Sequence, residues 1–543
     1  MSAPSLGRSA AVMAVGTTVS RVTGLGRLVA AAYALGVSES RLADTYNIAN
    51  TMPNVIYELV LGGVLTSVFI PVVVEELRTK DKDKAWEAVS ALVTTALTVL
   101  TALTLVAVVA APWIIRLFTL RLSGPEAAEQ QELATFFLRV FAPQILLYGY
   151  AAISAGLLNA HGRFAVPMFV PILNNMVVIA MFLGFAALVS GVPTVASVDA
   201  DLGQKLLLAG GTTAGVAAMA LANWPFLRQL PGRLRPVLAF RHPAVRKLGR
   251  LSAWTFGYVV SNQVAFAIAL VLANGVQGGP TAYFTAFAFF QLPYGIAAVS
   301  IMTALVPTLS AQAVDGDDDG FRARTAGGIR AMALIMVPAT AAFVVLSRPL
   351  IQTMLERGVM QPESSRLVAS VLDMLALGML PFSVFLLLVR AFYARQDART
   401  PLYCNLVSNG AYLAFSFALF PFMEVAGLGL SHTLCYVVAA GMAAWLLARR
   451  IGGLEGRHTA RELAKVTAAS LASAAVMVVV VELVAAAIGP GTTRALVQLL
   501  AGGASGAVAF LMAARALRVE DLALFRQLLP RRGQGAPGEP SLP

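Results

Sequence analysis

Two arginines six residues apart, Arg21 and Arg27, sit inside an apolar run in the segment SRVTGLGR (20–27). An ionisable side chain at membrane depth costs at least about 2.5–3.5 kcal/mol on insertion scales, so each one kept there points to a task. Guanidinium groups present a rigid fork of donors that matches phosphate oxygens, and a pair of them suits a phosphate-bearing, lipid-linked ligand. In a regular helix six residues turn through about 600°, which leaves the two side chains about 120° apart. Gly24 and Gly26 lie between them, and glycine lets a helix unwind or kink until both heads converge on one cavity. The structural use of such a pair is as salt bridges or as side chains that snorkel to the interface.

A complementary stripe follows. Asp44, Asn47, Thr51, Asn54 and Glu58 recur at intervals of three and four, so on a helix they share one face. A face that polar avoids lipid. It lines the same cavity, with Asp44 or Glu58 opposite the arginines, or it is a helix contact joined by asparagine amides. Asn405 and Asn409 stand at i and i+4 and could offer oxygens to a cation or simply join helices. Asp373, Arg139 and Arg390 read as structural or snorkelling groups.

Other chemistries lack their residues. No G-x-x-x-x-G-K-[ST] occurs, so direct ATP drive has no visible machinery. Asp199-Ala-Asp201 looks like a metal-binding pair but falls in a short connection, and the run Asp315 to Gly320 starts like a calcium loop yet has Ala326 at its twelfth position. Cys404 and Cys435 lie in apolar segments, and the four histidines, His161, His242, His432 and His458, are scattered, so neither a disulfide framework nor a metal centre is expected.

The elements that must position these residues are membrane helices. The chain of 543 residues is 58% hydrophobic and 13% charged, with a mean hydropathy of +0.75, too apolar for a soluble fold. Apolar blocks such as 87–119 and 464–489 are long enough to cross a hydrocarbon core of roughly 30 Å as helices, which excludes a β-barrel of short alternating strands. The fold class expected is an all-α polytopic membrane protein of about fourteen spans. They lie near 9–35, 45–74, 86–118, 132–159, 165–190, 204–227, 248–274, 280–312, 326–347, 366–393, 401–422, 426–448, 462–488 and 494–516. The first helix is retained, since its arginines are spread through the apolar run and no cleavable leader is evident.

Net charge is +12, and in a membrane chain that excess belongs to cytoplasmic loops before it belongs to nucleic acid. A cytoplasmic N-terminus puts about 21 basic residues inside and about 8 outside. Both termini are then cytoplasmic, and the Pro- and Gly-rich tail from Leu529 reads as disordered.

Two stretches repeat at a separation of about 235 residues. NAHGRFAVP (159–167) is echoed by YARQDARTP (393–401), and LTSVFIP (65–71) by IMTALVP (301–307). Six spans separate the copies, so the halves run in the same direction. The expected plan is two six-helix lobes around a central cavity, 1–230 and 231–455, followed by two additional helices in 456–517 and a basic cytoplasmic tail, 518–543.

With these residues in view, the chain resembles the lipid II flippase family (MurJ, also called MviN) of the multidrug/oligosaccharidyl-lipid/polysaccharide exporter superfamily. The segments that carry the resemblance are SRVTGLGR (20–27), Asp44 with the Pro53-Asn54 step, GLLNAHGRFAVPMFVPILNN (156–175), LERGVM (355–360) and FYARQDARTP (392–401). The resemblance implies transport of lipid-linked peptidoglycan precursor from the inner to the outer leaflet by alternating access. It implies substrate contacts at Arg21, Arg27 and Asp44, to which the stripe adds Asn54 and Glu58. It also implies a polyprenyl-tail groove on spans 13 and 14, and partners among membrane lipids and cell-wall synthesis or division proteins. No catalytic residue and no cofactor are expected, with a monovalent cation or the membrane potential open as the driving force. The chain departs from the family pattern where a third arginine falls on Tyr57 and a fourth at or near Ala288, where an acid falls on Leu28, and where a glutamate falls on Gly62, with Glu58 one turn earlier. The competing functions are export of other polyprenyl-linked oligosaccharides or amphipathic drugs, and a membrane enzyme acting on polyprenyl phosphates, for which no carboxylate or histidine cluster is found.

Overall fold

The computed structural model describes residues 6–58, 75, 81–232, 234–239 and 241–520. Among them the regular structure is helical throughout, as a backbone in hydrocarbon must satisfy every N–H and C=O within its own segment. In chain order the helices are α1 (Leu6–Leu35), α2 (Leu42–Tyr57), α3 (Lys82–Phe118), α4 (Gly124–Phe141), α5 (Gln144–Ala160), α6 (Ala165–Leu188), α7 (Val195–Ala200), α8 (Leu202–Leu221) and α9 (Trp224–Leu227). They continue as α10 (Pro243–Ala273), α11 (Gly279–Pro293), a π-turn (Tyr294–Ala298), α12 (Val299–Asp315), α13 (Asp318–Leu355), α14 (Pro362–Ala376), α15 (Met379–Ala394), α16 (Arg399–Ile451), α17 (Gly456–Ala487) and α18 (Thr492–Ala516).

Ten helical stretches among the described residues are long and apolar enough to cross a membrane, or eleven when α14 and α15, bent by 47°, are taken as one crossing. At 53 residues, α16 would reach about 80 Å if straight, far beyond a core of roughly 30 Å. It breaks at Glu424 (φ 49, ψ −128), so it is two helices joined at one residue. The expected second span is described only to Glu58; the 65–71 copy of the repeat, Gly62, the Tyr57 side chain, the loop residues Arg78 and Lys80, and the tail beyond 520 lie outside the described residues.

The chain divides into two compact units, one of Met1–Ala288, Ile351–Val371 and Asn405–Ser431, the other of Phe289–Leu350, Leu372–Cys404 and His432–Pro543. The core of the first gathers Tyr46, Phe137, Phe141 and Phe182. Tyr46 meets the three phenylalanines edge-on at centroid distances of 5.4–6.2 Å, an arrangement that adds about 0.5–1.5 kcal/mol per pair to area burial. In the second unit α17 and α18 pack closely because Gly506 admits Met477 and Ser473 Oγ donates to the Gly506 carbonyl at 2.7 Å, while Gly502 admits Leu346 of α13.

The unwinding that Gly24 and Gly26 would permit in the first helix is not seen. Helix α1 is unbroken from Leu6 to Leu35, and its glycines serve packing instead. A Cβ on Gly16 would stand 3.0 Å from Met168, and one on Gly24 or Gly26 would meet Asn175 at 3.7 Å or Ile179 at 3.5 Å. The small residues thus seat α1 on α6, the usual logic of helix contact in lipid. Asn175 Nδ2 donates to Thr23 Oγ1 at 3.0 Å and to the Ser20 carbonyl at 3.3 Å.

Candidate functional site

The loop between α1 and α2 and the first turn of α2 each carry an acid that caps a helix far away in sequence. Asp44 is fully buried in the first turn of α2, but it faces the start of α11. Its Oδ2 accepts the Gly278 N–H at 2.7 Å, and its Oδ1 accepts the Thr281 N–H at 3.1 Å and the Thr281 hydroxyl at 2.7 Å. A helix start leaves its first N–H groups without intrahelical partners, and Pro280, which has no N–H, stands among them. Asn47, one turn on, donates to Thr281 Oγ1 at 3.0 Å. Gly278 has φ of 80° and no room for a Cβ, which would lie 2.5 Å from Ser38; glycine is required there.

Glu39 does the same for α14. Its Oε1 accepts the Gln361 N–H at 2.5 Å and the Ser364 hydroxyl at 2.7 Å, while Oε2 accepts the Val37 N–H at 2.6 Å. Arg41 adds a third tie, with Nε 3.1 Å from Glu126 Oε2 and Nη1 3.2 Å from the Asn274 carbonyl. These contacts clasp the 36–44 loop to α4, α11 and α14.

The expected pairing of Asp44 or Glu58 with the arginines is not formed. Neither Arg21 nor Arg27 has an ion pair or side-chain hydrogen bond among the described residues. Asp44 already serves α11, and Glu58 is exposed at the end of α2. Arg21 is exposed and Arg27 half-buried, and the unbroken helix keeps them about 120° apart. Arg27 is the electrostatic neighbour of the Tyr46 and Tyr148 hydroxyls, and the Tyr46 hydroxyl lies 2.7 Å from that of Thr212. Asn54 is half-buried and donates to the Asn50 carbonyl of its own helix at 3.1 Å. The polar stripe therefore has two ends with different duties: Asp44 and Asn47 hold helices, while Thr51, Asn54 and Glu58 have no side-chain hydrogen bond or ion pair to another helix among the described residues.

Reading the sequence missed Glu39 and Tyr148. Glu39 lies in a short Ser-Glu-Ser connection with no periodicity to mark it. Of the asparagine pair, Asn409 Nδ2 donates to Ser261 Oγ at 2.7 Å and to Asn262 Oδ1 at 2.8 Å, joining α16 to α10, and Asn405 Nδ2 is buried without a hydrogen-bond partner among the described residues. Asp201 caps α8, with the Gly203 N–H at 2.8 Å, and Asp199 pairs with Lys205 at 2.9 Å. In the acidic turn Asp317 accepts the Gly320 N–H at 2.8 Å, Asp318 pairs with Arg395 at 2.5 Å and Asp319 with Arg322. Among the described residues no group of three or more His, Cys, Asp or Glu side chains is placed to hold a metal ion.

The fold is shared with solved transporters. A structure described as lipid II flippase MurJ in an inward closed conformation superposes with a TM-score of 0.74 at 19% identity, covering 95% of this chain and 99% of that one. An inward-facing multidrug resistance MATE family transporter superposes at 0.64 with 15% identity, over 82% of this chain and 99% of that one. In sequence, a probable lipid II flippase MurJ of Synechocystis sp. is 30% identical over 475 residues, 86% of this chain and 85% of the relative. That of Haemophilus influenzae is 28% identical over 461 residues, 82% and 86% of the two chains. The family model described as lipid II flippase MurJ matches residues 31–498, which takes in the clasp formed by Glu39, Arg41 and Asp44 but begins after Arg27, and the chain belongs to that family.

Proposed function

We propose that this protein moves lipid II, the lipid-linked diphosphate precursor of peptidoglycan, from the inner to the outer leaflet of the cytoplasmic membrane by alternating access. The observation that carries the reading is Arg27, half-buried on α1 with no carboxylate partner among the described residues and within electrostatic reach of the Tyr46 and Tyr148 hydroxyls. A cation left unneutralised in a membrane helix awaits an anion, and a diphosphate supplies one with oxygens suited to the guanidinium fork. Arg21, Asn54 and Glu58 complete the substrate-facing set in this reading, and Asp44 acts by holding α11. Tyr57 and Ala288 stand where relatives place further arginines, so the Tyr148 hydroxyl takes up part of the diphosphate.

The arrangement proposed is fourteen spans with both ends cytoplasmic, in lobes of 1–230 and 231–455, with α17 and α18 appended. Between α17 and α18 runs an apolar groove of about 640 Å³ lined by Val476, Ala504, Val508 and Met512, suited to a polyprenyl chain. The clasp at Asp44 and Glu39 must open when the substrate leaves. The driving force is a monovalent cation gradient or the membrane potential, no organic cofactor takes part, and the protein partners are cell-wall synthesis or division proteins.

Depletion in cells, followed by leaflet-resolved measurement of lipid-linked precursor, tests the reading. Precursor should accumulate in the inner leaflet; an unchanged distribution with the protein gone defeats it.

A further inference from the structure

Helices α3, α4 and α8 enclose a second cationic place, remote from Arg27 in sequence. A cavity of about 360 Å³ is lined by Arg116, Glu132, Thr135, Arg139, Asp199 and Lys205 among others. Asp199 is already neutralised by Lys205 at 2.9 Å, whose ammonium also lies 5.4 Å from the Phe136 ring centroid. Arg116 and Arg139 have no ion pair or side-chain hydrogen bond among the described residues. With Glu132 as the remaining acid, the cavity keeps an excess of one positive charge and two guanidinium forks without an acceptor.

Its position limits what can fill it. The carbonyl of Phe118, at the end of α3, accepts from Asn274 Nδ2 at 3.0 Å, and Gln130 on α4 donates to Asn274 Oδ1 at 3.2 Å. The cavity is thus on the membrane face that carries the Asp44 clasp. Beside it Trp113 and Leu117 on α3 and Leu120 in the turn that follows are 63%, 52% and 66% exposed, an apolar strip with a tryptophan at interfacial depth that belongs against lipid. A site with two free arginines, one hydroxyl donor in Thr135 and an open flank toward acyl chains matches a phosphodiester on a lipid headgroup. Basic residues are sparse on this face, about 8 against about 21, so two that converge without partners are not the ordinary interfacial bias.

We propose that Arg116 and Arg139, with Lys205, bind the phosphate of an anionic membrane lipid headgroup. That the lipid is in the outer leaflet rests on the orientation proposed above; the site itself does not.

The test is native mass spectrometry of the purified full-length protein titrated with phosphatidylglycerol and, separately, phosphatidylcholine. The wild type should retain phosphatidylglycerol with a preference of about tenfold, and Arg116→Gln/Arg139→Gln should bring the preference close to unity. Arg366→Gln removes an exposed cation from the same face outside the cavity and should leave the preference intact. Glu132→Gln removes the acid that has no ion pair among the described residues and should raise retention, which keeps the test available if the double variant does not fold. Equal preference in the wild type and the double variant, or an equal loss in Arg366→Gln, overturns the proposal. Displacement of the lipid by millimolar inorganic phosphate also overturns it, since a free-anion site needs no acyl flank.

Discussion

Gly162 and Gln396 hold the same left-handed backbone conformation, with φ of 74° and 59°, at matching places in the two turns that repeat along the chain. The hydrogen bonds around them match as well. The Gly162 N–H reaches the Asn159 carbonyl at 3.0 Å as the Gln396 N–H reaches that of Tyr393 at 2.9 Å. The Arg163 N–H reaches Leu158 at 2.9 Å as the Asp397 N–H reaches Phe392 at 3.0 Å. A repeat visible as a few shared letters is therefore a shared helix stop, conserved in geometry while the side chains changed.

That relation sets a pair of opposite expectations. A left-handed conformation costs an L-residue about 1–2 kcal/mol, partly offset in a glycine variant by the extra entropy of its unfolded chain, about 0.5–1 kcal/mol. Gln396→Gly should raise the melting temperature slightly, and Gly162→Ala should lower it by the equivalent of about 1 kcal/mol. A Cβ at Gly162 has nothing within 4 Å, so any loss there is backbone strain. Scanning fluorimetry of the purified variants reads both, and a Gly162→Ala protein as stable as the wild type would falsify the assignment.

Removing Asp44 should act through stability. Asp44→Ala strands the Gly278 N–H and the Thr281 N–H and hydroxyl in a buried place, at about 1–3 kcal/mol for each donor. Thr281→Ala removes one of those donors, so the double variant should be less damaging than the sum of the singles. Melting temperatures of the three variants measure the coupling; strict additivity means that the two residues do not act together.

Much of this architecture is legible in the sequence because a lipid-facing helix must be apolar for its whole length, and that leaves a continuous signal. The clasp is not. Period places Asp44 and Glu58 on one face of α2, but fourteen residues are about 21 Å of helix, so one meets a loop at the membrane surface while the other does not. Which N–H groups Asp44 accepts depends on α11, more than 200 residues on, and nothing local encodes that partner. Gly24 and Gly26 are ambiguous for a different reason: a missing Cβ permits both an unwound helix and a close helix contact, and in the structure both face α6 from an unbroken helix. The two turns at 159–167 and 393–401 are legible, since a left-handed residue followed by a proline in the first turn of the next helix restricts the residues allowed.

Acid should weaken the second of these turns. Asp397 lies in the connection between α15 and α16, outside the spans. Burial alone would raise its pKa, but hydrogen bonds from the Thr400 hydroxyl at 2.6 Å, the Thr400 and Arg399 N–H groups at 3.0 and 2.9 Å, and Arg450 overcome it. The carboxyl is held at about 2, below its ordinary 3.8. A depressed carboxylate contributes its stability in full above the ordinary value and loses it as pH falls toward the folded one. The gap in melting temperature between the wild type and Asp397→Asn should stay constant above pH 5 and close between about pH 4 and 2. A gap that ignores pH over that range would show that the charge of Asp397 does not hold the turn.

The arginines of α1 separate transport from folding. Arg27→Ala removes a cation that no carboxylate among the described residues neutralises, so it leaves no buried acid unpaired and abundance in the membrane should hold. If the guanidinium grips a diphosphate, each charge-assisted contact is worth about 1.5–3 kcal/mol, which translates to a loss of about 10- to 150-fold in transport. Arg27→Lys keeps the charge but not the fork, and should recover part of the activity. Tyr148→Phe removes a neighbouring hydroxyl with little change in volume and should lower transport less than Arg27→Ala does. Arg21 is exposed and turned away on an unbroken helix, so Arg21→Ala should show the smaller loss of the two unless the substrate spans both positions. Complementation of a depleted strain, with membrane protein quantified alongside, resolves these cases. Full growth of Arg27→Ala at normal abundance removes Arg27 from the substrate site, and loss of the protein itself assigns the residue to folding instead.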